Sequence, residues 1–285
     1  ADTLAITLRE LPRSMPGFDT VEWLVIDDGS KDATVEVANA NGVDHIVSFS
    51  KNQGLARGFM AGLDACVKLG ADVIVNTDAD NQYYAGDIPK LIEPILARRA
   101  DMVIGDRSVE EVPSFSLVKR ILHKIGSWVV SKAAGFPIPD ATSGFRAISR
   151  ETAQRTLVLS NYSYTLETLI HAGALGLSVE YIPVSTHAPT RPSRLMKNNL
   201  HFVGNALGSI IRSFSLYRPL RIFFFFGGLL LIGGFALGIR FLYFFFNQQG
   251  SGHIQSLILA AVLLIIGFQT VLIGLLADMV AANRK

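Results

Sequence analysis

Apolar and polar positions follow two regimes along these 285 residues. In the first, short apolar runs end in polar clusters that lead into segments of helical period. Glu22–Ile26 ends in Asp27-Asp28-Gly29-Ser30 before a helix start near Asp32, and His45–Phe49 precedes a helix from Gln53 to Leu69. Asp72–Thr77 precedes a helix from Asp87, and Asp101–Ile104 precedes an amphipathic helix over Ser116–Ala134. Ahead of them Leu4, Leu8 and Leu11 recur at helical spacing up to Pro12. Strands alternating with helices of this length predict an α/β domain with a largely parallel sheet over residues 1–190. In such sheets ligands bind beyond the carboxyl ends of the strands. The clusters Asp27–Ser30, Asp78-Ala79-Asp80 and Gly105-Asp106-Arg107 all fall at such ends and are expected to converge on one crevice.

The second regime begins at Arg191. Residues 191–220 mix basic positions (Arg191, Arg194, Lys197, Arg212, Arg218) with apolar ones (Leu195, Leu200, Val203, Leu207), the pattern of a segment lying in a membrane interface. Residues 221–285 then read as a transmembrane hairpin. Ile222–Phe246 has 25 residues with one charge, Arg240, and Ile254–Ala277 has 24 with none. At about 1.5 Å per residue each crosses a hydrocarbon core of roughly 30 Å. Arg218 and Arg221 precede the first span, Arg284 and Lys285 follow the second, and the loop Asn247–Gly252 carries no Lys or Arg. An integral membrane protein with a cytoplasmic catalytic domain is expected, the rival being a buried core hairpin.

Composition adds bounds. A net charge of +2 gives no ground for a nucleic-acid partner, and the lone Cys66 excludes an intrachain disulfide and reads as a buried thiol in a reducing setting. Gly54, Gly58 and Gly62 do not have the Gly-x-Gly-x-x-Gly spacing of a dinucleotide site, so close helix packing accounts for them better.

The candidate chemistry lies at the end of Val73–Asn76, where Asp78 and Asp80 stand one residue apart with Gln82 beside them. Side chains at i and i+2 of an extended backbone point the same way. Two carboxylates and an amide oxygen are the hard ligands of Mg²⁺ or Mn²⁺, cations that also hold substrate phosphates. For an isolated Asp-x-Asp an ordinary turn is the commoner reading. An EF-hand would need Gly and Glu where this chain has Tyr83 and Pro89.

Five motifs occur in order: Asp27-Asp28-Gly29-Ser30-x-Asp32, Asn52-x-Gly54-x-x-x-Gly58, Asp78-Ala79-Asp80-x-Gln82, Gly105-x-Arg107 and Asp140-x-x-Ser143-Gly144-Phe145-Arg146. With the basic segment and the hairpin after them, the chain resembles the family-2 glycosyltransferases of GT-A fold, specifically the membrane-anchored polyprenyl-phosphate glycosyltransferases that include dolichyl-phosphate mannose synthase. That resemblance implies transfer of a sugar from a UDP- or GDP-linked donor to a polyprenyl phosphate, with inversion, for glycan or glycoprotein assembly. It implies that Asp28, Gly54 and Asp78 line the donor site and that Asp78, Asp80 and Gln82 surround the cation. Asp80, Arg107 and Arg146 would then carry catalysis. Both arginines suit phosphate oxygens, with a structural ion pair as the alternative. Arg191 and Arg194 are placed where the acceptor phosphate would dock. The family opens with a strand ending in a Pro-x-Tyr-Asn-Glu-like turn that this chain starts after, and truncation at both termini is the expectation. A processive polysaccharide synthase is the nearest alternative, although its Gln-x-x-Arg-Trp motif is missing; a silent membrane adaptor is the other. Assembly into a homo-oligomer is left open.

Overall fold

The computed structural model describes residues 3–107, 117–158, 164–187, 219–247 and 254–282. The chain divides into two compact units, Ala1–Ile210 and Ile211–Lys285.

In the first unit the elements run α1 (Leu4–Glu10), β1 (Leu24–Asp27), α2 (Thr34–Ala40), β2 (His45–Ser48), α3 (Leu55–Leu69), β3 (Val73–Asn76), a short 3₁₀ turn at Ala85–Asp87, α4 (Ile88–Leu96), β4 (Met102–Asp106), α5 (Leu117–Ala134), β5 (Arg146–Ser149), α6 (Arg150–Arg155), α7 (Tyr164–Leu175) and β6 (Val179–Pro183). The strands expected around 22–26, 45–49, 72–77 and 101–104 are β1 to β4. α5 begins one residue after the expected Ser116.

β1 and β2 pair in parallel, and a second sheet has the order β3-β5-β4-β6. β4 and β6 are parallel, while β5 runs antiparallel to β3 on one side and β4 on the other. The sheet is thus more mixed than the alternation suggested. The reversed strand matters for function: Arg146 at its start is in register with Asn76 at the end of β3 and with Ile104 of β4. A strand entering from that edge brings the loop before it, residues 140–145, to the carboxyl ends of its neighbours.

Packing fixes these positions. Ile88, Leu91, Ile92 and Ile95 of α4, spaced i, i+3, i+4, i+7, are buried in one cluster with Val103 of β4, Ala147 of β5 and Phe145. Burying each such side chain contributes about 2 kcal/mol. A second cluster joins Leu4 and Leu8 of α1 to Ala38 of α2, with Val25 of β1 and Ile46 of β2 packed on it. Gly58 and Gly62 of α3 face Ile26 of β1, where an added Cβ would lie 3.5 and 3.4 Å from its side chain. That is the helix packing expected of them.

The second unit holds α8 (Pro219–Phe246) and α9 (Ile254–Ala282), two helices long and apolar enough to cross a membrane. They approach at Gly227 and Gly267, where a Cβ on either would stand 2.9 or 3.0 Å from the other's carbonyl oxygen. Small residues at such a crossing let backbones meet closely, the device of helix pairs in lipid.

Candidate active site

The polar clusters join in two groups: the Asp27–Ser30 turn holds the segment before α3, and the Asp78 and Arg107 clusters both contact the loop before β5. In the Asp27–Ser30 turn, the buried Asp27 carboxylate accepts from the Ser30 N–H at 3.0 Å. Gly29 has φ +71°, and a Cβ there would lie 2.7 Å from the Lys51 carbonyl carbon, so the turn presses directly on the Lys51-Asn52 backbone. Asp28 then reaches across: its carboxylate accepts from the N–H groups of Gln53 and Gly54 at 2.6 and 2.9 Å. Gly54 caps α3 at φ +94°. The first two motifs are one structure, with Asp28 the tie between them.

β3 stops at Asn76, two residues before Asp78. Asn76 Nδ2 donates to the Gly144 carbonyl at 2.7 Å and to Tyr164 Oη at 2.9 Å. Gly144 N–H in turn donates to Tyr83 Oη at 3.0 Å. Asp78 leans on the same glycine: a Cβ at Gly144 would sit 3.1 and 3.3 Å from its two carboxylate oxygens and 2.9 Å from Tyr164 Oη. Asp80 occupies a turn, not an extended segment, and its Oδ1 accepts from the Gln82 N–H at 3.2 Å. This is the turn that the sequence offered as the alternative for Asp80. Burial above all, with the Asp78 charge adding to it, raises the pKa of both Tyr83 and Tyr164 and keeps the phenols neutral.

The two arginines differ from expectation in opposite degrees. Arg107 forms a two-pronged pair with Asp140, Nε to Oδ2 at 2.7 Å and Nη2 to Oδ1 at 3.0 Å, and donates from Nη2 to Thr142 Oγ1 at 2.6 Å. Its side chain is 13 % exposed and that of Asp140 1 %. Burial disfavours the Arg107 cation, but Asp140, Tyr83 and Asp78 outweigh it and hold its pKa above the ordinary arginine range. The ion-pair alternative thus describes Arg107, beside Asp78. For Arg146 the phosphate-binding expectation is corrected. It is 0 % exposed, and its guanidinium donates to the carbonyls of Ser143 and Thr165, each at 2.9 Å, and to Thr168 Oγ1 at 2.5 Å. Held between β3 and β4, it has no face toward a ligand; it ties the Asp140–Phe145 loop to α7. Arg191 and Arg194 lie outside the described residues.

Asp78, Asp80 and Gln82 offer only oxygen donors, and among the described residues no cluster of three or more His, Cys, Asp or Glu side chains is placed to hold a metal. A partial protein shell fits Mg²⁺ or Mn²⁺, which are held by one or two carboxylates with phosphate oxygens and water completing the shell. Tyr83, Asn76 and Tyr164 were not expected at the site. Tyr83 adjoins the acidic motif in sequence, but nothing local marks Tyr164.

Residues 1–157 match the family model described as Glycosyl transferase family 2. The chain belongs to this family. Among relatives of this glycosyltransferase, a bactoprenol glucosyl transferase of Shigella phage SfX is 30% identical, over 95% of this chain and 86% of that one. An undecaprenyl-phosphate mannosyltransferase of Micrococcus luteus is 26% identical, over 65% and 78% of the two chains. Glucosyl-3-phosphoglycerate synthase from Mycobacterium tuberculosis, solved with Mn²⁺, UDP-glucose and phosphoglyceric acid, superposes with TM-score 0.55 at 18% identity, covering 75% of each chain. This last likeness is one of fold.

Proposed function

We propose that this glycosyltransferase moves a sugar from a UDP- or GDP-linked donor to a polyprenyl phosphate at the cytoplasmic membrane face, giving a lipid-linked sugar. The observation that carries the reading is the joining, in one chain, of the Asp78–Asp80 crevice to α8 and α9, two helices of membrane-crossing length. An acceptor with an isoprenoid tail lives in the bilayer, and an enzyme anchored there meets it without extracting it. Relatives named for undecaprenyl phosphate and bactoprenol support the acceptor class.

The chemistry asks little of a general base. A phosphate monoester has a second pKa near roughly 6, so at pH 7 its oxygen is already an anionic nucleophile. What remains is alignment and charge stabilisation. Asp28 and Gly54 shape the donor side, and Asp78, Asp80 and Gln82 would hold Mg²⁺ or Mn²⁺. A divalent cation there offsets, as a Lewis acid, the charge left on a departing nucleoside diphosphate. Arg107, paired with Asp140, fixes the loop before β5. Arg191 and Arg194, at the start of the basic segment, are proposed to receive the acceptor phosphate.

Incubating the protein in detergent with a panel of nucleotide sugars and polyprenyl phosphate, then weighing the lipid fraction, tests this reading. One donor should add a single hexosyl mass, with transfer lost in excess chelator and in Asp80→Ala. A lipid fraction unchanged by every donor would overturn the acceptor, and full activity in Asp80→Ala would overturn the cation site.

A further inference from the structure

Two residues of α1 break local helix rules, and both breaks point at the same loop. An N-cap threonine ordinarily accepts from the N–H groups of the first turn. Thr3 caps α1 without any side-chain cap bond; its Oγ1 donates instead to the Ala79 carbonyl at 2.8 Å. At the other end, a negative charge in the last turn opposes the helix dipole. Glu10 stands there nonetheless, with Oε1 accepting from Asn81 Nδ2 at 3.2 Å and Oε2 3.3 Å from His187 Nε2. Thr3 and Glu10 are seven residues apart, two turns on one face. The residues they grip, Ala79 and Asn81, flank Asp80.

The loop itself needs such a hold. Asn81 is buried with φ +57°, a left-handed conformation that costs a non-glycine residue energy and persists when its surroundings fix it. This turn sends the chain back so that Gln82 N–H reaches the Asp80 carboxylate. From the far side, His187 N–H donates to the Gln82 carbonyl at 2.8 Å, and Tyr84 N–H donates to the Ser185 carbonyl at 3.2 Å.

We infer that α1 is the clamp that poses Asp80 for its cation, with Thr3, Glu10 and Asn81 as positioning residues acting through the loop backbone. This rests on the cation reading proposed above. Binding of Mn²⁺ alone to the full-length protein in detergent, followed by loss of the free-ion paramagnetic resonance signal, separates the two. Thr3→Val/Glu10→Ala should weaken Mn²⁺ about tenfold, the scale of one or two hydrogen bonds, with the thermal unfolding midpoint of the α/β unit little changed. Glu10→Gln keeps a carbonyl oxygen for Asn81 and should bind Mn²⁺ within about twofold of wild type. If the double variant proves unfolded, Asn81→Gly, which tolerates the positive φ and removes only the amide, takes its place with the same expected loss. Wild-type affinity in Thr3→Val/Glu10→Ala or in Asn81→Gly, or a loss in Glu10→Gln equal to that in the double variant, overturns the clamp while leaving the cation site standing. A wild-type protein that takes up no Mn²⁺ overturns both.

Discussion

Arg107 and Asp140 allow a test of whether a charged residue at this crevice serves the ligand or the fold. The pair is buried and two-pronged, and Asp140 Oδ1 also accepts from the N–H groups of Thr142 and Ser143 at 3.0 and 3.1 Å. Removing either member leaves the other charge buried without its partner, a cost of about 3–5 kcal/mol. Asp140→Ala should stand at the top of that range, because it also orphans two backbone donors, and Arg107→Met at the bottom. Against a total stability of roughly 5–15 kcal/mol, either is a large fraction. Once one partner is gone the second costs little, so the double variant should fall short of additivity by about 1.5 kcal/mol or more. Denaturant unfolding of the full chain, followed by the fluorescence of Trp23 and Trp128, measures all four corners of the cycle. Additivity within about 0.5 kcal/mol would refute the coupling. A stable Arg107→Met protein with only a raised donor Michaelis constant would return Arg107 to the phosphate role.

Gly144→Ala places a Cβ 2.9 Å from Tyr164 Oη and 3.1 Å from the Asp78 carboxylate, so the Tyr164 hydroxyl must shift and Asp78 give way with it, and transfer should fall by about tenfold or more with folding retained. Circular dichroism beside turnover checks it, and wild-type turnover would count against Asp78. His171 is buried with its pKa lowered, chiefly by burial, and its Nδ1 accepts from the Leu157 N–H at 3.3 Å. The unfolded chain therefore takes up the proton first as pH falls. The stability this group confers is complete above the unfolded value of about 6.5 and is lost below it, with a slope of at most about 1.4 kcal/mol per pH unit. His171→Gln should flatten unfolding free energy against pH in that window. Replacing Arg191 and Arg194 with Gln should raise the Michaelis constant for polyprenyl phosphate in neutral detergent and leave that for the donor unchanged, which steady-state kinetics would show.

How much of this was legible depended on whether the signal was local. The tip of β3 could be read because an apolar run and the residues that follow it lie within one stretch of chain, and the strand-to-helix alternation marked β1 to β4 for the same reason. β5 and α7 left no such trace. Residues Tyr164 to Ala172 of α7 are all buried, so the helix has no polar face and no amphipathic period to detect. β5 is a four-residue run, Arg146-Ala147-Ile148-Ser149, polar at both ends and paired on both sides, and its place between β3 and β4 is decided by partners far away in sequence.

Arg146 follows from that failure. Read along the chain, an arginine after Ser-Gly-Phe is a cation in search of an anion; read in the sheet, it is the first residue of a central strand and has two carbonyls and a hydroxyl waiting for it. Arg107, Asp28 and Glu10 repeat the lesson, each committing charge to the backbone or side chains that hold a loop in place. The crevice is thus built mostly from polar residues that bind one another. The proposed reaction, whose nucleophile arrives already ionised, needs such a frame more than it needs a base, because misplacing the reacting atoms by about 1 Å can cost on the order of 10²-fold in rate.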